Sequence, residues 1–528
     1  MPSGKESSTR PRHIAIVGGG ISGIACSWKL RKHGYLVDIY ESDSKLGGHA
    51  NSVAFKGKGR VVDVDTGFIA LDEATYPQFN DFLKELGIRT IPTDMSFGVS
   101  VSDGDFEWSS SSIWSFLGEL SYLFTFWFWR LVFEILWFSL FAHEILYEEP
   151  TIVREDEDTS LLTSCENEID AIEKDLKSLD QFQTIGDYLK EKKYSDEFIN
   201  YFLIPMVASP WCIDTNEFKE TFPARPLIRF MMDHRLLDTV TRTLRWRSFQ
   251  NGSKTYVDAF LSSLPAHHQV HLKTPVQKAV RLKQGVMLTF GDGSSRIYDH
   301  VALAVHARQA LDILGNGATD LERRILSSFQ TSRNTCYLHS DTSFLPKRPS
   351  ARAAWNCFLG RTDEAIDGTP PHEQGSKISI TFDMNKLQGI PFPGDPNSVG
   401  RVLVSMNPTR IPKTLQSIQV YHHPLISSES ILMSGYIHRI NGVSGISFAG
   451  AWMGFGFHED GFASGAHVAC MLVDGREKAG YLDLVASRSD SQRRKFGPGE
   501  SLLRAVLVLA RRSFLLLRGE GLGSKGFI

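Results

Sequence analysis

His13-Ile14-Ala15-Ile16-Val17-Gly18-Gly19-Gly20-Ile21-Ser22-Gly23 is an apolar run ending in Gly-x-Gly-x-x-Gly, followed by helix-compatible sequence over residues 24–33. After Gly34 a second apolar run, residues 35–40, ends at Glu41. This order is the first strand-turn-helix-strand of a dinucleotide-binding fold. Gly18 permits the tight turn, Gly20 lets backbone approach a pyrophosphate, and Gly23 lets the helix lie close on the strand. The diphosphate then meets the N–H groups and dipole of a helix N-terminus, with Ser22 in its first turn. Glu41 falls at the offset, about 20 residues on, where an acid grips a ribose hydroxyl.

With 528 residues and 42 % hydrophobic content, the chain suits two or three domains. A net charge of −3 gives no global argument for nucleic acid, so none is expected as partner. The six cysteines are scattered without a C-x-x-C pair, which speaks against a zinc site or dithiol centre and for a reducing compartment. Residues 1–12 are polar and basic, with no apolar signal core. The expected location is intracellular, cytoplasmic or peripherally membrane-associated.

Residues 113–147 are the most hydrophobic region, including Leu123-Phe124-Thr125-Phe126-Trp127-Phe128-Trp129. A membrane span needs about 20 mostly apolar residues. Glu119, Arg130 and Glu134 interrupt the run, which favours helices lining an apolar pocket, a patch dipping into one leaflet, or a buried aromatic core. Residues 148–180 read as a solvated loop followed by an exposed helix. Residues 251–314 read as a turn and helix, strands near 269–272, 276–282 and 286–290 with a hairpin turn at Gly291-Asp292-Gly293, a buried strand at 300–305 and a helix. Another apolar strand, Ile446 to Gly450, precedes a glycine-rich helix start. From Ser487 onward arginines interleave with apolar residues, as in a basic amphipathic helix on a flexible tail; it suits an anionic membrane surface or a dispensable extension equally.

The N-terminal glycine motif, the acid after the second strand, Leu46-Gly47-Gly48-His49-Ala50, Asp65-Thr66-Gly67-Phe68, Thr75-Tyr76-Pro77, Asp94-Met95-Ser96-Phe97 and Gly454-Phe455-Gly456-Phe457-His458-Glu459-Asp460-Gly461 carry a resemblance. Together they resemble FAD-dependent oxidoreductases of the amine oxidase and phytoene desaturase superfamily. More closely, the chain resembles a subgroup of predicted NAD/FAD-binding proteins related to the N-terminal domain of plant cyclopropane fatty acid synthases. The resemblance covers roughly residues 12–474 and not the tail.

It implies an α/β fold: a discontinuous FAD-binding Rossmann-like domain (12–81, 249–336 and 440–475), an α+β substrate domain (82–248 and 337–439) with a helical hydrophobic insertion, and a basic tail (485–528). FAD is the implied cofactor. Gly18, Gly20, Ser22 and Gly23 would hold its diphosphate, Glu41 its ribose, and Val276 its adenine through the backbone. Gly47 and Gly48 would leave N–H groups near the phosphate and ribityl chain. His49 stands where many amine oxidases have arginine, which weakens a phosphate ion pair there. Asp65 and Gly67 would lie near the flavin ring, although Asp65 also suits a loop-capping carboxylate. Beyond Gly450, Glu459 and Asp460 would cap a helix and bind ribityl hydroxyls. His458 either joins them structurally or faces the substrate to move a proton. His306 and the pair His422-His423 are further candidates. No metal site is expected.

The leading expectation is a FAD-dependent oxidoreductase passing a hydride from an apolar, lipid-like substrate to flavin N5, by desaturation or oxidation. A redox-neutral double-bond isomerase and a non-catalytic flavin-bearing lipid-binding protein are the alternatives. Substrate identity and electron acceptor stay open.

Overall fold

The computed structural model describes residues 12–101, 106–117, 120–147, 165–177, 183–238, 245–359, 378–474 and 496–517. His13–Val17 forms the central strand of a parallel five-stranded sheet. Its neighbours are Leu36–Tyr40 on one side and His300–Leu303 on the other; His268–His271 and Ile446–Phe448 form the two edges. The central strand is apolar at nearly every position because it is covered on both faces, as parallel sheets require. The crossover between the first two strands is the helix Ile21–Leu30.

This helix lies against a second one, His458–Asp474, drawn from the far end of the chain. Small residues make the approach possible. A Cβ at Gly465 would strike the Ser22 carbonyl, and one at Gly461 the Ile21 side chain. The hairpin Val276–Leu282 with Gly285–Phe290 extends to a third strand, Ser295–Tyr298.

A second sheet of seven strands runs, in spatial order, Leu415–Pro424, Thr331–His339, Leu403–Met406, Ser379–Asp383, Trp355–Leu359, Phe97–Val101 and Phe106–Ser109. Thr331–His339 pairs along its length with Leu415–Pro424, so it belongs wholly to this sheet. The expected domain boundary between 336 and 337 therefore cuts a strand and moves to before Thr331. Against this sheet packs a helical layer, and the apolar cluster between them unites Trp108 of the sheet with Leu131, Phe138, Phe198, Trp211 and Phe230.

The hydrophobic region resolves into short helices and the helix Phe126–Phe141. Its two charges serve internal bonds. Glu134 pairs with Arg130 at 3.0 Å and accepts from the Ser195 backbone N–H at 3.0 Å, tying the helix to its neighbour. No helix among the described residues is long and apolar enough to cross a membrane. Trp114, Phe124, Phe126 and Trp129 nevertheless remain exposed, Phe124 to 90 %.

Two expectations are corrected. Helix Cys165–Lys177 is not simply exposed, since Ile172 is fully buried in the cluster around Leu303 and Ile325. The tail is not all free: Pro498–Leu517 is helical and docks on the aromatic helix, with Arg504 over Phe141 and bonded to Glu144 at 2.7 Å, and Arg511 over Trp137. The rest of the tail, 485–495 and 518–528, lies outside the described residues, as does 148–164.

Candidate functional site

A single cavity of about 990 Å³ runs from the ends of the parallel strands to the second sheet. That is at the upper end for one small ligand. Its first part is a groove floored by Gly18, Gly20, Ser22, Gly47, Gly48, Val305 and Gly450, with Tyr40, Glu41, Val276, Gln309 and Asp312 at one end. Such a crevice beyond the C-terminal ends of parallel strands is where open α/β sheets bind ligands.

Each glycine in the groove has a distinct reason. Gly18 has φ +105°, and a Cβ there would run into the Ala304 carbonyl. A Cβ on Gly23 would hit the Gly18 carbonyl, so Gly23 is a packing residue behind the wall. Gly20 has ordinary dihedrals, and a Cβ on it would meet no protein atom within 4 Å. The space above Gly20 is thus part of the groove. No side chain caps helix Ile21–Leu30, and its first-turn N–H groups have no partner within the helix. An uncapped helix start facing open space has the donors and the dipole that suit an anionic group.

Glu41 lies on the groove wall and is held there. One carboxylate oxygen accepts from Gly19 N–H at 2.8 Å and the other from Asp43 N–H at 2.9 Å. Gly67 and Val276 also line the cavity.

Asp65, Glu459 and Asp460 do not line the cavity. Asp65 is fully buried and accepts from Ser52 Oγ (2.6 Å), Ser253 N–H (2.8 Å) and Ser253 Oγ (2.8 Å). Burial pushes its carboxyl up to about 6. Its geometry is that of a loop-capping carboxylate, which corrects the placement beside a flavin ring. Glu459 accepts from Gln78 N–H (3.0 Å) and Phe79 N–H (2.9 Å), so it caps the remote helix Pro77–Glu85, whose own N-cap Tyr76 offers no side-chain bond. Asp460 accepts from Phe455 and Phe457 N–H, both at 3.0 Å, and fixes the turn before its own helix. Both carboxylates therefore cap backbone rather than face ribityl hydroxyls.

His458 lies at the cavity wall, but its ring is committed. It stacks on Phe68 at 3.8 Å, and its Nε2 is 2.8 Å from Tyr256 Oη. Burial pulls its pKa down to about 3. Near neutrality the ring is therefore uncharged and a weak base, and one nitrogen is already bonded. The arrangement favours the structural role over the proton-moving one.

The groove opens into an aromatic chamber walled by Trp108, Phe116, Phe202, Met206, Trp211 and Phe230, with Val132, Ile135 and Leu136 from the aromatic helix. Trp211 donates Nε1–H to the Phe455 carbonyl at 2.7 Å, and Phe457 stacks on Phe230, so the loop carrying the C-terminal motif closes the chamber from below. Between groove and chamber stand His49, His306, His422 and His423, all on the wall. No lysine or arginine lines the cavity among the described residues. Individual chamber residues such as Trp211 and Phe230 escaped sequence reasoning, since an aromatic in a helix gives no sign of which void it borders.

Residues 16–86 match the family model for an NAD(P)-binding Rossmann-like domain. Protoporphyrinogen oxidase 2 of Arabidopsis thaliana is 35 % identical over 78 residues, 15 % of this chain and 14 % of that one. Prenylcysteine oxidase 1 of Mus musculus is 25 % identical over 205 residues, 38 % of each chain. The chain thus aligns with well under half the length of these relatives. Among solved structures, the fatty acid isomerase from P. acnes that produces CLA superposes with a TM-score of 0.55 at 15 % identity, covering 88 % of this chain and 99 % of that one. At that identity the likeness is one of fold. The chain is therefore a mixed α/β protein with a Rossmann-like domain, and it shares its fold with that enzyme.

Proposed function

We propose that the chain binds FAD in the groove and acts as a FAD-dependent oxidoreductase on an apolar, lipid-like substrate held in the aromatic chamber. The observation that carries this reading is the continuity of one cavity from an anion cradle to an apolar chamber. Bound FAD would supply an acceptor for a hydride. The protein's own contributions are separable. Helix Ile21–Leu30 and the Gly20 opening would support the diphosphate, Glu41 would bond the ribose and Val276 would meet the adenine. The loop at Gly47-Gly48-His49, with Gly67 and Gly450, borders the inner half. The chamber excludes water and orients an apolar chain. Among the described residues the only carboxylates lining the cavity, Glu41 and Asp312, belong to the groove, which leaves an amine substrate without a counter-ion in the chamber. The motifs from Gly18 to Gly461 support membership of the subgroup related to plant cyclopropane synthases.

The exposed edge Trp114, Phe124, Phe126 and Trp129 supports a peripheral membrane contact, because the helix that carries Phe126 and Trp129 also contributes Val132, Ile135 and Leu136 to the chamber wall. The test is to purify the protein, record its visible spectrum, identify the bound cofactor and co-purifying lipids, and mix candidate lipids with it under anaerobic conditions. Flavin bleaching by a lipid is the expected result. A shifted double bond without bleaching would replace oxidation by isomerisation, and a correctly folded, colourless protein that takes up no FAD would overturn the reading.

A further inference from the structure

Four histidines from three separated segments share the wall between groove and chamber. His49 follows the Gly47-Gly48 turn, His306 precedes helix Ala307–Leu314, and His422 and His423 end the strand Leu415–Pro424. The His49 ring centre is 5.5 Å from that of His423 and 6.4 Å from that of His306. With lysine and arginine missing from the described wall, imidazoles are the only side chains there that can offer an anion N–H donors able to gain positive charge.

One of these rings has its tautomer set by a chain of amides. The Thr335 backbone N–H donates to Asn407 Oδ1 at 3.0 Å, so Asn407 Nδ2 is the donor to Asn334 Oδ1 at 2.7 Å. Asn334 Nδ2 in turn meets Ser332 Oγ at 2.9 Å, the Ser332 carbonyl at 3.2 Å and His423 Nδ1 at 2.9 Å, and an amide NH2 is a donor only. Nδ1 of His423 must accept, so its proton sits on Nε2. With Nδ1 turned to the relay, Nε2–H is left for the cavity. Asn334 is fully buried on the strand face shared by Cys336 and Leu338, which locks the relay in place. Burial and the neighbouring imidazoles hold His423 and His306 down at about 4, so the tautomer is that of a neutral ring at physiological pH.

We propose that this cluster is the head-group site for a lipid carboxylate, with His423 Nε2–H as its fixed hydrogen-bond donor and Asn334 as the positioning residue. The inference rests on the lipid reading above and narrows it to acidic lipids.

Equilibrium dialysis of the flavin-loaded protein against oleate and methyl oleate tests it. Oleate is expected to bind at least tenfold more tightly. His423→Leu should remove that preference while leaving methyl oleate binding unchanged, and His423→Gln, which keeps an N–H donor, should restore part of it. Asn334→Asp should move the ring proton to Nδ1, read as exchanged ¹⁵N shifts of the His423 nitrogens, and abolish the oleate preference. Equal binding of both probes by the unsubstituted protein, or a His423 resonance already protonated at Nδ1, would overturn the head-group site while leaving the apolar chamber standing. Failure of both probes to bind would sink the lipid reading itself.

Discussion

Gly20 and Gly23 stand three residues apart and would fail differently. A valine at Gly20 has room on the protein side and keeps its backbone dihedrals, so Gly20→Val should fold with a near-normal melting temperature yet bind no flavin. A valine at Gly23 is driven into the Gly18 carbonyl and should cost the fold about 3 kcal/mol or more. Paired thermal melts and flavin absorbance per folded molecule separate the two; full flavin occupancy in Gly20→Val would refute the cradle. This contrast shows what was legible residue by residue. The glycine turn and the position of Glu41 beside it could be read from the chain because backbone geometry dictates them. The roles of Asp65, Glu459 and His458 could not, because each is decided by a partner remote in sequence: Ser253, Phe79 and Tyr256 respectively.

At the scale of elements, Glu459 supplies from one helix the cap that another lacks. Replacing it with alanine leaves two N–H groups of helix Pro77–Glu85 without an acceptor in a buried place, at a cost of about 2–4 kcal/mol. Denaturant midpoints should report this loss. Amide exchange should rise first over residues 77–81; uniform exchange change across the molecule would contradict the capping role. The aromatic helix makes a second prediction. Phe124→Glu together with Trp129→Glu alters exposed side chains only, so stability should hold while sedimentation with anionic liposomes falls at least fivefold. Unchanged liposome binding would remove the membrane contact. The hydrophobicity of this region was plain in the sequence, but its division into buried and exposed faces depended on Ser195 and the terminal helix, which nothing local announces.

For the whole molecule, buried imidazoles set the acid limit. His234, His268, His300, His306, His339 and His423 are held near 4 and His458 near 3, chiefly by burial. Unfolding returns them to about 6.5, so the unfolded chain binds more protons between these limits and stability rises with pH across that window. Asp65 and Asp233, raised to about 6, work in the opposite sense, favouring the folded state below about 4 and losing that contribution as pH climbs to 6. The histidines outnumber them. The unfolding free energy should therefore fall steeply from pH 6.5 to 4, by about 1.4 kcal/mol per pH unit for each net proton taken up. Asp65→Asn should steepen that fall, and a flat profile in urea titrations at pH 5 and 7 would refute this balance.

The parallel sheet also sets a timetable for biosynthesis. Its central strand, His13–Val17, is translated more than 400 residues before its final edge, Ile446–Phe448. Helix His458–Asp474, which clamps the first helix, follows later still. The N-terminal segment must therefore wait, incompletely covered, for a distant partner, and nascent chains stalled anywhere before that point should need chaperone protection and be unable to retain a nucleotide.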